Sequence, residues 1–156
     1  TFEENAVAKA RDGFAATGLP TLADDSGIEV AALNGMPGVL SARWAGGHGD
    51  DTANYTLLLS QLRDVPDERR GAAFVASCAL VQGPGLADVT VVRGQWPGVV
   101  ARDAVGDGGF GYDPVFIPEA ETRSAAQLSP AEKDAVSHRG RALALLVPAL
   151  RRLAGA

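Results

Sequence analysis

Asp24 and Asp25 stand side by side after the apolar run 19–23, and Ser26-Gly27 follow them. If that run is a buried strand, the acids emerge where it ends, at the rim of a sheet, where α/β proteins usually place their ligands. Neighbouring carboxylates repel unless a cation, a proton or backbone N–H donors compensate, so the pair suits a divalent-metal site. The same residues also suit a plain turn, with Ser26-Gly27 supplying its chemistry.

A second constellation is Gly108-Gly109-Phe110-Gly111-Tyr112-Asp113-Pro114. Its glycines let the backbone approach a flat ligand, an aromatic ring offers a stacking face, and the carboxylate accepts from ring N–H groups. A nucleobase pocket needs those parts; a glycine-rich turn whose aromatics plug the core needs them too. It is not a dinucleotide fingerprint, because no strand-to-helix turn has the required glycine spacing. The third group is Ser137-His138-Arg139 at the opening of the last helix, with Lys133 one turn before it. Protonated Lys, His and Arg offer only donors, which suits carbonyl or phosphate oxygens, whereas a serine cap followed by solvated charges is the plainer reading. Lys9 and Lys133 are the only lysines, against twelve arginines. A solvated surface tolerates that exchange, but a site needing a compact ammonium does not.

The elements that must position these groups alternate. Thr1-Phe2-Glu3-Glu4 matches a capping box, and Phe2, Ala6, Ala10 and Phe14 recur at helical spacing until Thr17-Gly18. Strand-like runs follow over 21–23 and 28–31, then a Gly/Pro-rich ordered loop over 34–49 and a helix over 52–62. Strand character over 72–81 and 87–93 flanks Gly83-Pro84-Gly85, a hairpin signal, and 99–101 and 115–117 add short strands. Ser129-Pro130-Ala131-Glu132 caps another helix. The last helix, 139–153, carries Leu143, Leu146, Leu150 and Leu153 on one face, with a kink expected at Pro148.

One chain of 156 residues, 46% hydrophobic, has the size of a single domain with a real core. A net charge of −5 argues against a general nucleic-acid surface and leaves room for a small anionic ligand held by a few placed cations. No apolar run approaches the ~20 residues that cross a bilayer, and acids stand where a secretory signal would carry positive charge, so a cytoplasmic protein is expected. The single cysteine, Cys78, lies in an apolar run and reads as a small core residue, not part of a disulfide or zinc cluster.

The motifs TFEENAxxKA, ADDSG, PGxxSARW and GGFGYDP, followed by Lys133 and Ser137-His138-Arg139, occur in one order along essentially the whole chain. In that arrangement the chain resembles the inosine triphosphatase family, pyrophosphatases acting on non-canonical purine nucleoside triphosphates. The resemblance implies an α/β fold with a central twisted mixed sheet flanked by helices, two lobes with a substrate cleft, and one domain over 1–156. It implies hydrolysis of ITP, dITP and XTP to the monophosphate and pyrophosphate, a purine nucleoside triphosphate as partner, Mg2+ as cofactor, and a homodimer. Neither polymeric nucleic acid nor a membrane is implied. Residues 35–44 and the final helix are candidates for subunit contacts, as well as for ordinary core packing.

Carried over by position, the resemblance makes Asp25 the proton acceptor and a metal ligand, and Glu4 an acid near the metal and triphosphate. Lys9 becomes a catalytic phosphate contact and Ser26 a substrate contact. Phe110, Gly111, Tyr112, Asp113, Lys133, His138 and Arg139 become the groups that hold the base. Glu4 and Lys9 are about 140° apart around a helix, so both can border one site without stacking. A donor facing the base carbonyl would bond hypoxanthine or xanthine and oppose the adenine amino group, and leaving buried polar groups unpaired can reject an analogue by ~10⁴. Family members also begin with a strand and a phosphate-binding loop of roughly 40 residues, counting a short connection, that is absent before Thr1. Weak or absent activity is therefore expected of these residues alone. A catalytically impaired nucleotide-binding or regulatory module, and a generic interaction domain, are the alternatives from other classes.

Overall fold

The Thr1 hydroxyl accepts the Glu4 N–H at 3.1 Å, closing the capping box, and Gly18 ends the same helix in the left-handed region at φ 70°. These local signals fix α1 (Phe2–Thr17), the first element of a computed structural model that describes residues 1–155. The chain continues through β1 (Thr21–Val30), α2 (Asp51–Gln61), β2 (Gly71–Val81), β3 (Val89–Val100), β4 (Phe116–Pro118), α3 (Pro130–Val136) and α4 (His138–Leu153), with short 3₁₀ turns between them. The strands form one sheet in the order β1-β2-β3-β4, and β4 runs antiparallel to β3 with Val99 opposite Ile117. The expected α/β fold, a sheet flanked by helices, stands. Among the described residues no helix is long and apolar enough to cross a membrane.

The chain forms two units. One comprises Thr1–Ser26, Val75–Gln95 and the segment from His138 onward; the other comprises Gly27–Phe74 and Trp96–Ser137. In the first unit, strand alternation divides the core in two. Ala23, Ala79, Val81 and Val89 pack against Ala6, Val7, Ala10 and Phe14 of α1. Ala76, Cys78, Leu80 and Val92 pack against Ala142, Leu146, Ala149 and Leu150 of α4. Successive side chains of a strand point to opposite faces, so β2 is buried throughout Val75–Val81 because each face has its own helix. Cys78 is buried and free, as its apolar run predicts, and burial, helped by the Asp24 charge, pushes its thiol up.

Three sequence expectations change here. The runs over 21–23 and 28–31 are one strand, and the run over 99–101 belongs to a longer β3 that ends at Val100. On α4, the buried stripe is His138, Ala142, Leu146 and Ala149, while Leu143 and Leu153 are exposed and Leu150 is half-buried. Small residues explain the rotation. A Cβ on Gly94 would overlap the His138 carbonyl oxygen and the Ala142 nitrogen, so the helix backbone itself rests against β3.

The second unit is built around an aromatic cluster. Phe74 meets Phe116 edge-on at 4.6 Å between ring centroids, and Trp96 meets Phe116 at 5.5 Å. Ile28, Val30, Leu58, Leu62, Val100 and Val115 complete that core. Tyr112 is 4% exposed within it, and its hydroxyl donates to the Ser41 carbonyl at 2.8 Å. Ser129 caps α3 as its sequence predicts, in a box that includes Glu132.

Candidate functional site

Asp24 and Asp25 do not sit at a strand end. They lie inside β1, where Asp, Ser and Gly are poor formers and only tertiary contacts hold an extended backbone. Those contacts are visible. On α1, Asn5 and Lys9 are four residues apart and share a face. Asn5 Nδ2 donates to Asp25 Oδ2 at 3.0 Å, and Lys9 Nζ donates to Asp25 Oδ1 at 2.6 Å and to the Asp24 carbonyl at 3.0 Å. Asp24 meets the other helix: Arg139 Nη2 of α4 donates to its Oδ2 at 2.9 Å, and the Ser26 hydroxyl donates to the same oxygen at 2.7 Å.

The adjacent acids are therefore not a chelating pair. Strand alternation sends Asp25 toward α1 and Asp24 toward α4, and each receives its own cation. This overturns the picture of twin carboxylates at a rim and resolves their repulsion in another way. Burial alone would raise the Asp24 carboxyl. Hydrogen bonds from Ser26 and Arg139, with the charges of Arg139 and Lys9, outweigh that and hold it below the ordinary carboxylate value.

Glu4 lies on the exposed start of α1, its carboxylate taking the Thr1 hydroxyl at 3.1 Å in the capping box. The neighbouring Glu3 turns elsewhere, to Ser77 and Arg93, each at 2.9 Å. Among the described residues no group of three or more His, Cys, Asp or Glu side chains is gathered to hold a metal ion. The donor chemistry nevertheless fits magnesium. Asp25 presents hard oxygens, each with one hydrogen bond and a lone pair to spare, and this ion commonly takes one or two carboxylates plus phosphate oxygens and water. Asp25, with Glu4 as a second carboxylate, is the set that would hold it.

In the second unit, Asp113 is 1% exposed and forms the hub of the glycine loop. Its Oδ2 accepts the Phe110 N–H at 2.8 Å and the Lys133 ammonium, and a Cβ on Gly109, at φ 72°, would overlap that same oxygen. Glycine is required there on both counts. Phe110 is 61% exposed, with the Lys133 ammonium 4.5 Å from its ring centroid, so an exposed aromatic ring lies beside a cation. The Gly111 N–H donates to Asp51 Oδ2 at 2.6 Å.

The predicted residues thus gather in two sets. Lys9, Asp25, Ser26 and Arg139 form one with Asp24, in the first unit, where His138 is also buried. Phe110, Gly111, Tyr112, Asp113 and Lys133 form the other, in the second unit. Three participants escape the motif reading. Asn5 was detectable from its i, i+4 relation to Lys9, whereas Asp51 and Ser41 have no local signal because their partners lie 60 and 71 residues away.

Solved structures share this α/β fold with the chain. The chain belongs to the Ham1 family, whose sequence pattern matches residues 1–149. It is 74% identical over 154 residues to a dITP/XTP pyrophosphatase of Mycobacterium tuberculosis, covering 99% of this chain and 74% of that protein. A dITP/XTP pyrophosphatase of Nocardia farcinica is 70% identical with the same coverage. Among solved structures, the nucleoside-triphosphatase / dITP/XTP pyrophosphatase of Mycobacterium abscessus matches with a TM-score of 0.83 at 63% identity, over 97% of this chain and 76% of that one. A HAM1 protein of Coxiella burnetii matches with a TM-score of 0.89 at 44% identity, over 97% and 77%. The resemblance read from the motifs holds.

Proposed function

We propose that this chain hydrolyses non-canonical purine nucleoside triphosphates, ITP, dITP and XTP, to the monophosphate and pyrophosphate, and so serves to clean the nucleotide pool. The observation that carries the reading is the fixed Asp25 carboxylate, held at one oxygen by Lys9 and at the other by Asn5, in a chain whose relatives are named for this reaction.

Asp25 is the proton acceptor for the attacking water, since a carboxylate locked by two donors points a remaining lone pair without reorganising. Lys9, an ammonium already beside Asp25, stabilises negative charge on the phosphate chain. Asp25 and Glu4 are the carboxylates that would hold Mg2+, which would supply neutralisation of phosphate charge and activation of water. Ser26 is a substrate contact, and Arg139 and the buried His138 offer donors to the base from the start of α4.

The other base contacts belong to the second set. Phe110 offers the stacking face, and Gly111 and Tyr112 act through their backbone, Tyr112's ring being committed to the core. Among the described residues Asp113 Oδ1 has no hydrogen bond, so it accepts from a protonated ring nitrogen, while Lys133 has donors beyond the one given to Asp113. A carbonyl at the position of the adenine amino group is then accepted and an amino group opposed. In this reading the protein acts as a cytoplasmic homodimer.

Pyrophosphate release from dITP, XTP and dATP, with and without magnesium, tests the reading. Turnover of dITP and XTP that is slow in these residues alone, needs magnesium and exceeds that of dATP by ~10² or more is expected. Equal turnover of dATP refutes the selectivity, and tight dITP binding without turnover identifies an impaired nucleotide-binding module instead.

A further inference from the structure

Arg70, which ends the segment before β2, is 2% exposed. Its Nε donates to the Val100 carbonyl at 2.8 Å, Nη1 to the Leu62 carbonyl at 2.6 Å and Nη2 to the Ala101 carbonyl at 2.6 Å. A guanidinium has five N–H donors, so two remain on a buried cation that, among the described residues, has no carboxylate within ion-pair distance. An isolated buried charge is costly, and neutral carbonyls compensate its hydrogen bonding but not its charge.

Arg70 lines a cavity of about 450 Å³ together with Thr56, Ser60, Arg63, Arg102 and Asp103. Arg102 is already paired, with Asp67 at 2.6 Å. Arg63 has no ion-pair or side-chain hydrogen-bond partner among the described residues, and its carbonyl is held by Arg102 at 3.0 Å. Against three guanidinium groups stand Asp103 on the wall and Asp67 on Arg102, leaving one positive charge in excess. Burial, then the like charge of Arg102, pushes Arg70 below its ordinary value, with Asp67 opposing, as expected of a cation short of a counter-ion.

We infer that this cavity is a phosphate-group site, in which the spare Arg70 donors and Arg63 bind a tetrahedral oxyanion and the Thr56 and Ser60 hydroxyls add neutral hydrogen bonds. The planar, donor-rich guanidinium suits phosphate oxygens in geometry as well as charge. The volume admits inorganic phosphate alone or the phosphate end of a nucleoside monophosphate. None of the residues assigned above to turnover or base recognition lines the cavity, so this inference does not depend on those assignments.

The test is a titration of the full ¹⁵N-labelled chain with inorganic phosphate and, separately, with a nucleoside monophosphate, at constant ionic strength and without metal. Saturable shifts at Ser60, Arg63 and Arg70 are expected, with affinity reduced about tenfold by Arg63→Ala and further by Arg63→Glu. Arg63 is the variant of choice because Arg70 ties three carbonyls and its loss endangers folding. Shifts from phosphate alone identify a free-ion site, and shared shifts with tighter monophosphate binding identify a nucleotide site. Absence of saturable shifts at these residues, or affinity unchanged in a folded Arg63→Glu protein, overturns the inference.

Discussion

The two acid centres of this molecule treat a carboxylate in opposite ways. Asp25 lies on a strand under a helix and takes one donor on each oxygen, from Asn5 and from the ammonium of a long, half-exposed lysine. Asp113 is almost wholly buried, with the Phe110 N–H and Lys133 converging on a single oxygen in a loop that only glycine can complete. The first arrangement leaves lone pairs near solvent for a ligand to use. The second fixes a loop, and its removal leaves a buried charge alone. On the proposed reading, similar pairs of residue types serve turnover in one unit, and both loop shape and base recognition in the other.

The contrast predicts different failures. Asp25→Asn keeps the side-chain volume and removes the proposed proton acceptor, so kcat for dITP should fall by about 10²–10⁴ while thermal unfolding moves little, readable from pyrophosphate release beside a melting curve. A large loss of stability in that variant would place Asp25 with Asp113 as a structural acid. Lys133→Met should unfold more easily by about 3 kcal/mol in a urea titration, because it strands Asp113 inside the protein. Unchanged stability would erase the distinction from the other side.

Gly94→Ala probes the frame under the first centre. Its methyl meets the backbone of α4, so a cost of about 1–3 kcal/mol is expected, with a fall in activity, since that helix carries Arg139 to Asp24. The smallest effect concerns pH. Asp24 is held below its ordinary value, so its interactions stabilise the protein above about pH 4 and are lost as pH falls through the lowered folded value. The stability gap between the parent and Arg139→Ala should therefore narrow below about pH 4. More than a third of the Asp24 side chain is exposed, so solvent keeps that gap small, at most about 1 kcal/mol.

Much of this was legible in the sequence because its signals are local. The Thr1 box, Gly18 and the Ser129 cap act within one turn, and each helix begins or ends where those residues predict. β1 was harder to read. Asp24-Asp25-Ser26-Gly27 has turn chemistry, yet donors on α1 and α4 hold it extended, and Arg139 lies 115 residues from Asp24. On α4, leucine spacing points away from the buried stripe, because it is alanines that let this helix approach a strand. The candidate residues themselves were recognisable by type and order; the pairing of Lys133 with Asp113, 20 residues apart, became visible only in three dimensions.

The division of labour is tested most directly by comparing kcat/KM for dITP and dATP in Lys9→Met and Lys133→Met proteins, assayed where both remain folded. Lys9→Met should lower both values by a similar factor and leave their ratio alone, whereas Lys133→Met should collapse the ratio. A preference altered by Lys9→Met and untouched by Lys133→Met would contradict the account.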